Sequence, residues 1–254
     1  MHTIGYSVDG NHRKVASMSI NIEEQIRFSE KYLKTTWLKN VSNYRIQKRT
    51  IVVNLGNERA HILAPPEKYL LPRTSSIFQE ITIKDGDSLL LIELGDETNI
   101  GGIVLEPEWN LLGQIADFPV DVPLYKSPQY EVGIVSFDPY FVTGLSEHPH
   151  HSNTKEYIVK VNWWFAPAKT NCAIHNHHTD PELLEVHTQI YGVGIMQKFH
   201  ENDLSTIYQD VIMSPGETHI PFANVGENEQ FVYPWHQYYS DTDCIWMANE
   251  FHPI

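Results

Sequence analysis

Hydrophobic positions fall into two regimes along the chain. Between residues 20 and 37, Ile22, Ile26, Phe28, Tyr32 and Leu33, with Leu38 just beyond, recur at roughly helical spacing, which predicts one helix there. After it the runs become short, β-branched and punctuated. YRIQKRTIVVNL, AHILA, EITIKD, SLLLIEL and GGIVLE read as strands separated by Gly, Pro, Asn or Asp. Asp85-Gly86-Asp87 and Gly95-Asp96 read as hairpin turns between them. Residues 105–130 are rich in Pro and Asp and read as a connection. A second series follows: YEVGIVSF, EYIVKVNWWF, the run to AIHNHH, EVHTQIYGVG, TIYQDVIM, QFVYPWHQYY and CIWMANEF. The spacing predicts an all-β chain, with a mostly-β region over residues 1–125 and an antiparallel barrel or sandwich over 126–254.

Composition narrows the setting. At 254 residues, with 41% hydrophobic and 20% charged, the chain is long and apolar enough to bury a large core. No run approaches a membrane-spanning length. The opening MHTIGYSVDGNHRK lacks the apolar stretch of a secretory signal, and Cys172 and Cys244 are the only cysteines. Both points favour a reducing, cytoplasmic setting. The charge is uneven: from Cys172 to Ile254 the chain carries −11 of its net −14, with Lys198 the single basic residue. Such a half repels phosphate backbones, so no nucleic-acid partner is expected.

Histidine is the informative residue. His175, His177, His178, His187, His200, His219 and His236 crowd that same acidic half, and imidazole is the commonest protein metal ligand. On a regular strand His175 and His177 share a face, with His178 on the other. Glu185 and His187 share a face by the same parity. Ser214-Pro215-Gly216-Glu217-Thr218 reads as a turn that feeds His219, with Asn224 beyond it.

Taken in order, these residues resemble the two short motifs of the cupin superfamily, over roughly residues 130–254. The first motif pairs H-x-H with a downstream Glu and Gly, and the second sets Pro and Gly before a His and an Asn. Gly216-x2-His219 matches, while Pro215 lies directly before the Gly and Asn224 comes one residue late. Two glutamates compete for the carboxylate position. Glu182 keeps the family's distance from His177, and Glu185 keeps its distance to Gly192. Glu185 is favoured, because TDPELL looks like a loop that absorbs an insertion.

The resemblance implies a cupin-type barrel holding a divalent transition metal through His175, His177, Glu185 and His219. If residues 1–125 form a second barrel, as in bicupins, that barrel has lost its ligands, because this half holds no H-x-H…E set. Three imidazoles and a carboxylate suit Fe(II) first, with Mn, Ni, Co or Zn as alternatives. The family analogy implies an Fe(II) dioxygenase-type oxidoreductase acting on a small molecule. A metal-dependent isomerase, epimerase or lyase is the alternative, and a non-catalytic binding cupin is the third reading. His187, Glu182 and His236 are the candidate proton-transfer groups. His148, His150 and His151 read as a solvated loop, and the two cysteines as packing. The aromatic cluster Phe231, Tyr233, Trp235, Tyr238, Tyr239 and Trp246 reads mostly as barrel core that could line an apolar pocket. No nucleophile elbow, P-loop, dinucleotide fingerprint or H-E-x-x-H motif is present. Edge strands of such a barrel also predict a homodimer.

Overall fold

Alternating and fully apolar β-branched runs dictate the architecture, and the computed structural model gives them as strands in antiparallel ladders. It describes residues 20–29, 31–95, 99–144, 154–178, 180–226 and 230–254. The histidines at 148, 150 and 151 lie outside them.

The N-terminal half forms one seven-stranded sheet. Its strands are β1 (Ile22–Ile26), β2 (Thr35–Ile46), β3 (Thr50–Asn54), β4 (Ala60–Leu63), β5 (Lys68–Leu70), β6 (Ser75–Phe78) and β7 (Ile81–Glu93). The predicted helix over 20–37 does not form. Ser29 Oγ accepts from the backbone N–H groups of Lys31 and Tyr32, a local turn that competes with helix. The segment after it, beginning Thr35-Thr36-Trp37-Leu38, pairs with β7 along most of its length. Long-range pairing thus overrides the helical spacing.

Asp85-Gly86-Asp87 is not a hairpin turn either. It lies inside β7, where the strand changes partner from β4 to β3. GGIVLE is a 3-10 turn (Ile100–Leu105) rather than a strand, and a Cβ on Gly102 would collide with the Tyr32 hydroxyl.

The remaining strands are β8 (Asn110–Leu111), β9 (Tyr125–Phe137), β10 (Lys155–Ala166), β11 (Thr170–Asn171), β12 (Leu184–Tyr191), β13 (Gly194–Phe199), β14 (Ile207–Met213), β15 (Asn224–Val225), β16 (Phe231–Val232), β17 (Trp235–Ser240) and β18 (Cys244–Pro253). One sheet runs β12-β18-β10-β9-β8 and a second β11-β17-β13-β14. Tyr238 of β17 stacks on Trp246 of β18, ring centroids 3.8 Å apart, and ties the two sheets together. These paired antiparallel sheets give the all-β architecture that the strand spacing predicts.

The N-terminal sheet buttresses this barrel. Phe28 stacks on Trp163 of β10 at 4.5 Å, and one apolar cluster runs through both halves. Ser75 Oγ donates to the Gly216 carbonyl at 2.9 Å and lies 2.6 Å from Thr218 Oγ1. The turn bearing the second motif is therefore held from the N-terminal half. Gly216 sits at φ +87°, as the Pro-Gly turn requires, and the Glu217 N–H closes that turn on the Ser214 carbonyl at 3.0 Å. Among the described residues no helix is long and apolar enough to cross a membrane.

Candidate metal and substrate site

Strand parity places Glu185 and His187 correctly. Both point from β12 into a cavity of about 780 Å3 in the barrel, which His175, His177, His178, His236 and Glu250 also line. The His187 Nε2 lies 3.4 Å from Glu185 Oε1.

Parity fails over 173–178. Ala173 takes φ +66°, and the chain past it pairs only through the single bridge between His175 and His236. A left-handed residue breaks the period-two alternation. His177 is consequently exposed, its Nδ1 3.3 Å from Asn176 Oδ1. His178 is the residue turned inward. Its Nε2 is 3.8 Å from Glu185 Oε2, and its ring packs edge-on against Tyr233 at 4.5 Å. That Nε2 is buried and has no hydrogen-bond partner among the described residues.

His175 and His236 complete the group. Their backbones bond reciprocally at 2.9 and 2.8 Å, and their rings lie 4.3 Å apart. The His178 ring is 6.0 Å from His175 and 6.4 Å from His236. Imidazoles sharing one ion have ring centroids roughly 4.5–6.5 Å apart, given metal–nitrogen bonds of about 2.1 Å.

The Nδ1 atoms of His175 and His236 face the carbonyls of Ala173 and Pro234 at 3.1 and 2.9 Å. Nδ1 thus carries the proton, and Nε2 keeps its lone pair. Burial pushes both imidazoles down, His236 to about 3, so they are neutral near pH 7. Burial alone would raise the Glu185 carboxyl, but His187, His178 and His175 around it hold it below the usual carboxylate range. The Glu185 N–H donates to the Tyr233 hydroxyl at 2.9 Å, which donates on to the Leu183 carbonyl.

His219 stands one layer back. Its Nδ1 faces the Ile220 carbonyl at 2.7 Å, and its Nε2 accepts from the His187 backbone N–H at 2.9 Å, with His187 Nδ1 3.1 Å away. Burial pushes His219 down to about 3. It orients His187 and does not line the cavity. A proton on His187 Nδ1 shared with that acceptor leaves Nε2 for Glu185, where two acceptors need a proton or a cation between them. Glu182 points elsewhere, to Lys155 at 3.3 Å.

Among the described residues no three His, Cys, Asp or Glu side chains converge into a ready coordination cage. The set His175, His178, Glu185 and His236 offers the right donor types, with His178 spaced suitably from both other rings, while His175 and His236 at 4.3 Å stand closer than two ligands of one ion and would have to part slightly. The motif set fits less well, because His177 stands exposed at the cavity's edge with its Nδ1 near Asn176, and His219 is spent on His187.

Sequence reasoning missed Glu250 and His252. β18 repeats the E-x-H pattern of β12, and Glu250 lies directly opposite Glu185 in the ladder. Glu250 Oε2 accepts from Gln129 Nε2 at 2.9 Å and lies 2.8 Å from His252 Nε2. Asn162, with its amide turned to satisfy both neighbours, donates to Glu250 Oε1 at 2.9 Å and accepts from Trp164 Nε1 at 2.8 Å.

No protein-family model and no curated protein matches the chain. Solved structures similar to it include an oxalate oxidase in complex with the substrate analogue glycolate, at 16% identity and a TM-score of 0.25. That match covers 37% of this chain and 42% of the oxidase, so the chain spans less than half of that protein's length. The oxalate decarboxylase of Bacillus subtilis matches over 90% of this chain and 71% of its own, at 12% identity and a TM-score of 0.26. A cupin 2 conserved barrel domain protein from Leptotrichia buccalis matches over 91% and 88%, at 10% identity and a TM-score of 0.26. At this similarity neither substrate nor metal passes from those proteins to this chain.

Proposed function

We propose that the chain is a metal-dependent cupin enzyme acting on a small organic substrate, an Fe(II)-type oxygenase in the first instance. His175, His178, Glu185 and His236 hold the ion in this reading. The observation that carries it is the buried Nε2 of His178, which has no hydrogen-bond partner among the described residues and stands 3.8 Å from Glu185 Oε2. A buried polar atom without a partner costs on the order of 1–3 kcal/mol, which a bound cation would recover. When bound, such an ion supplies redox activation of O2 or Lewis-acid polarisation of a substrate oxygen.

The chain's own residues do the rest. His187 presents Nε2 to the cavity and moves a proton there, while His219 fixes its ring from behind. Trp164, Trp246 and Tyr238 wall the cavity and keep water from the reacting end. A second reading, an isomerase, epimerase or lyase, is favoured by Glu250, a second carboxylate in the same cavity within reach of proton transfer.

The test strips the protein with chelator, reloads it anaerobically with Fe(II) and follows oxygen uptake over a panel of small organic substrates. Substrate-dependent uptake supports the oxygenase. Solvent deuterium entering a substrate without oxygen supports the second reading instead. Failure to bind any divalent ion removes both.

His187→Ala is expected to lower turnover per bound metal by about 100-fold, in the range for a general acid–base group, with metal content little changed. Metal content, melting temperature and rate per metal on one preparation check this. Equal losses of metal and stability, with rate per metal intact, would make His187 structural.

A further inference from the structure

We propose that this cavity selects a small organic amine, a cationic head on an apolar body, and that Glu250 is the residue that recognises the head. The inference deepens the enzyme reading above and rests on the same cavity being the substrate site.

Charge is the first observation. Glu185 and Glu250 line the inner cavity, with Asp180 half-buried and Asp117 exposed at its rim; no described Lys or Arg lines it, and Lys126 Nζ stands 5.1 Å from the Trp164 ring that walls it. Lys160 stands opposite Glu250 in the β10 ladder but is not among the lining residues. A divalent ion balances the two inner carboxylates and leaves the rim, with Asp180 and Asp117, negative. A dicarboxylate ligand would add two more negative charges with no partner, and a buried unpaired charge is strongly unfavourable. An ammonium group moves the same cavity toward balance.

Acceptor geometry is the second. An ionised carboxylate offers about four acceptor directions. Gln129 and His252 occupy Oε2 of Glu250, and Asn162 occupies one direction of Oε1. One direction on Oε1 remains for a ligand donor. The three partners also lock the carboxylate in place, so little side-chain freedom is lost on binding. Glu185 and Glu250 face each other across the β12–β18 ladder, which sets their Cβ atoms about 5 Å apart on one face. A head group held by Glu250 therefore lies beside the metal-binding carboxylate.

The wall is the third. Trp246 stacks on Tyr238 at 3.8 Å and faces Trp164 at 6.5 Å, and all three line the cavity together with Met196 and Phe118. Aromatic faces favour a cation and an apolar ligand body alike. A cavity of about 780 Å3 admits a ligand of a dozen or so heavy atoms.

The experiment compares probes of one apolar body and three head charges: phenethylamine, 2-phenylethanol and 3-phenylpropionate. Binding to the full chain is read by calorimetry and by Trp fluorescence, with and without Co(II). The amine is expected to bind at least tenfold tighter than the alcohol, and the carboxylate weakest. Glu250→Gln should bring the amine-to-alcohol ratio close to one while Co(II) still loads. If that variant fails to fold, Asp180→Asn should shrink the ratio in the same direction, and the wild-type order alone remains decisive. A carboxylate that binds best, an amine with no advantage, an amine that does not bind at millimolar concentration, or an unchanged ratio in Glu250→Gln would each overturn the proposal. Failure of the metal reading shows separately, as absence of Co(II) binding whatever the probe order.

Discussion

Glu185→Gln is expected to lower divalent-metal affinity by at least ~100-fold, because it removes an anionic ligand at constant shape. Losing a group that only orients a ligand already costs 10- to 100-fold, and a ligand itself costs more. The carboxyl lies below the usual carboxylate range and is ionised near pH 7, so it meets a cation as a full negative charge. Glu182→Gln should leave the metal in place. Its carboxylate, half-buried, is paired with Lys155 at 3.3 Å, and such surface pairs contribute about 0–1 kcal/mol. Elemental analysis of both variants after dialysis against a weak chelator checks this. Metal lost from Glu182→Gln and kept by Glu185→Gln would show that the insertion in the first motif lies on the other side.

Gly192→Ala is expected to destabilise the fold by about 3 kcal/mol or more. Gly192 turns β12 into β13 at φ +72°, where an L side chain costs roughly 1–2 kcal/mol. A Cβ there would also collide with the Asp243 carbonyl oxygen, and that backbone can move only by disturbing the start of β18. The consequence reaches the site, because β12 carries Glu185 and His187. For a chain of this size the melting temperature should fall by on the order of 10 °C in a thermal scan. A shift under about 2 °C would mean that the turn rearranges freely.

The legible and illegible parts of this molecule divide along regularity of the backbone. Glu185 and His187 were legible because β12 is a continuous strand, and parity holds wherever a ladder does. His178 rather than His177 turns toward Glu185 because Ala173 interrupts the alternation before them, and no residue type announces a left-handed alanine. The Pro215-Gly216 turn was legible from composition, since a positive φ calls for Gly. What His219 does beyond that turn was not, because its Nε2 is claimed by a backbone N–H on another strand. Glu250 needed the register of β12 against β18, which only the fold supplies, although its E-x-H repeat was in plain view. The helix expected over 20–37 failed for the same reason in reverse: an amphipathic spacing was real, but β7 offered a longer ladder.

His178, and not its neighbour His177, is proposed to belong to the metal-binding group. Co(II) titration followed by visible absorption tests it on His177→Ala and His178→Ala side by side. One equivalent is expected to bind to wild type and to His177→Ala, with the same ligand-field bands. In His178→Ala the affinity should fall by at least ~100-fold, with the bands altered. Full binding by His178→Ala together with loss in His177→Ala would contradict it.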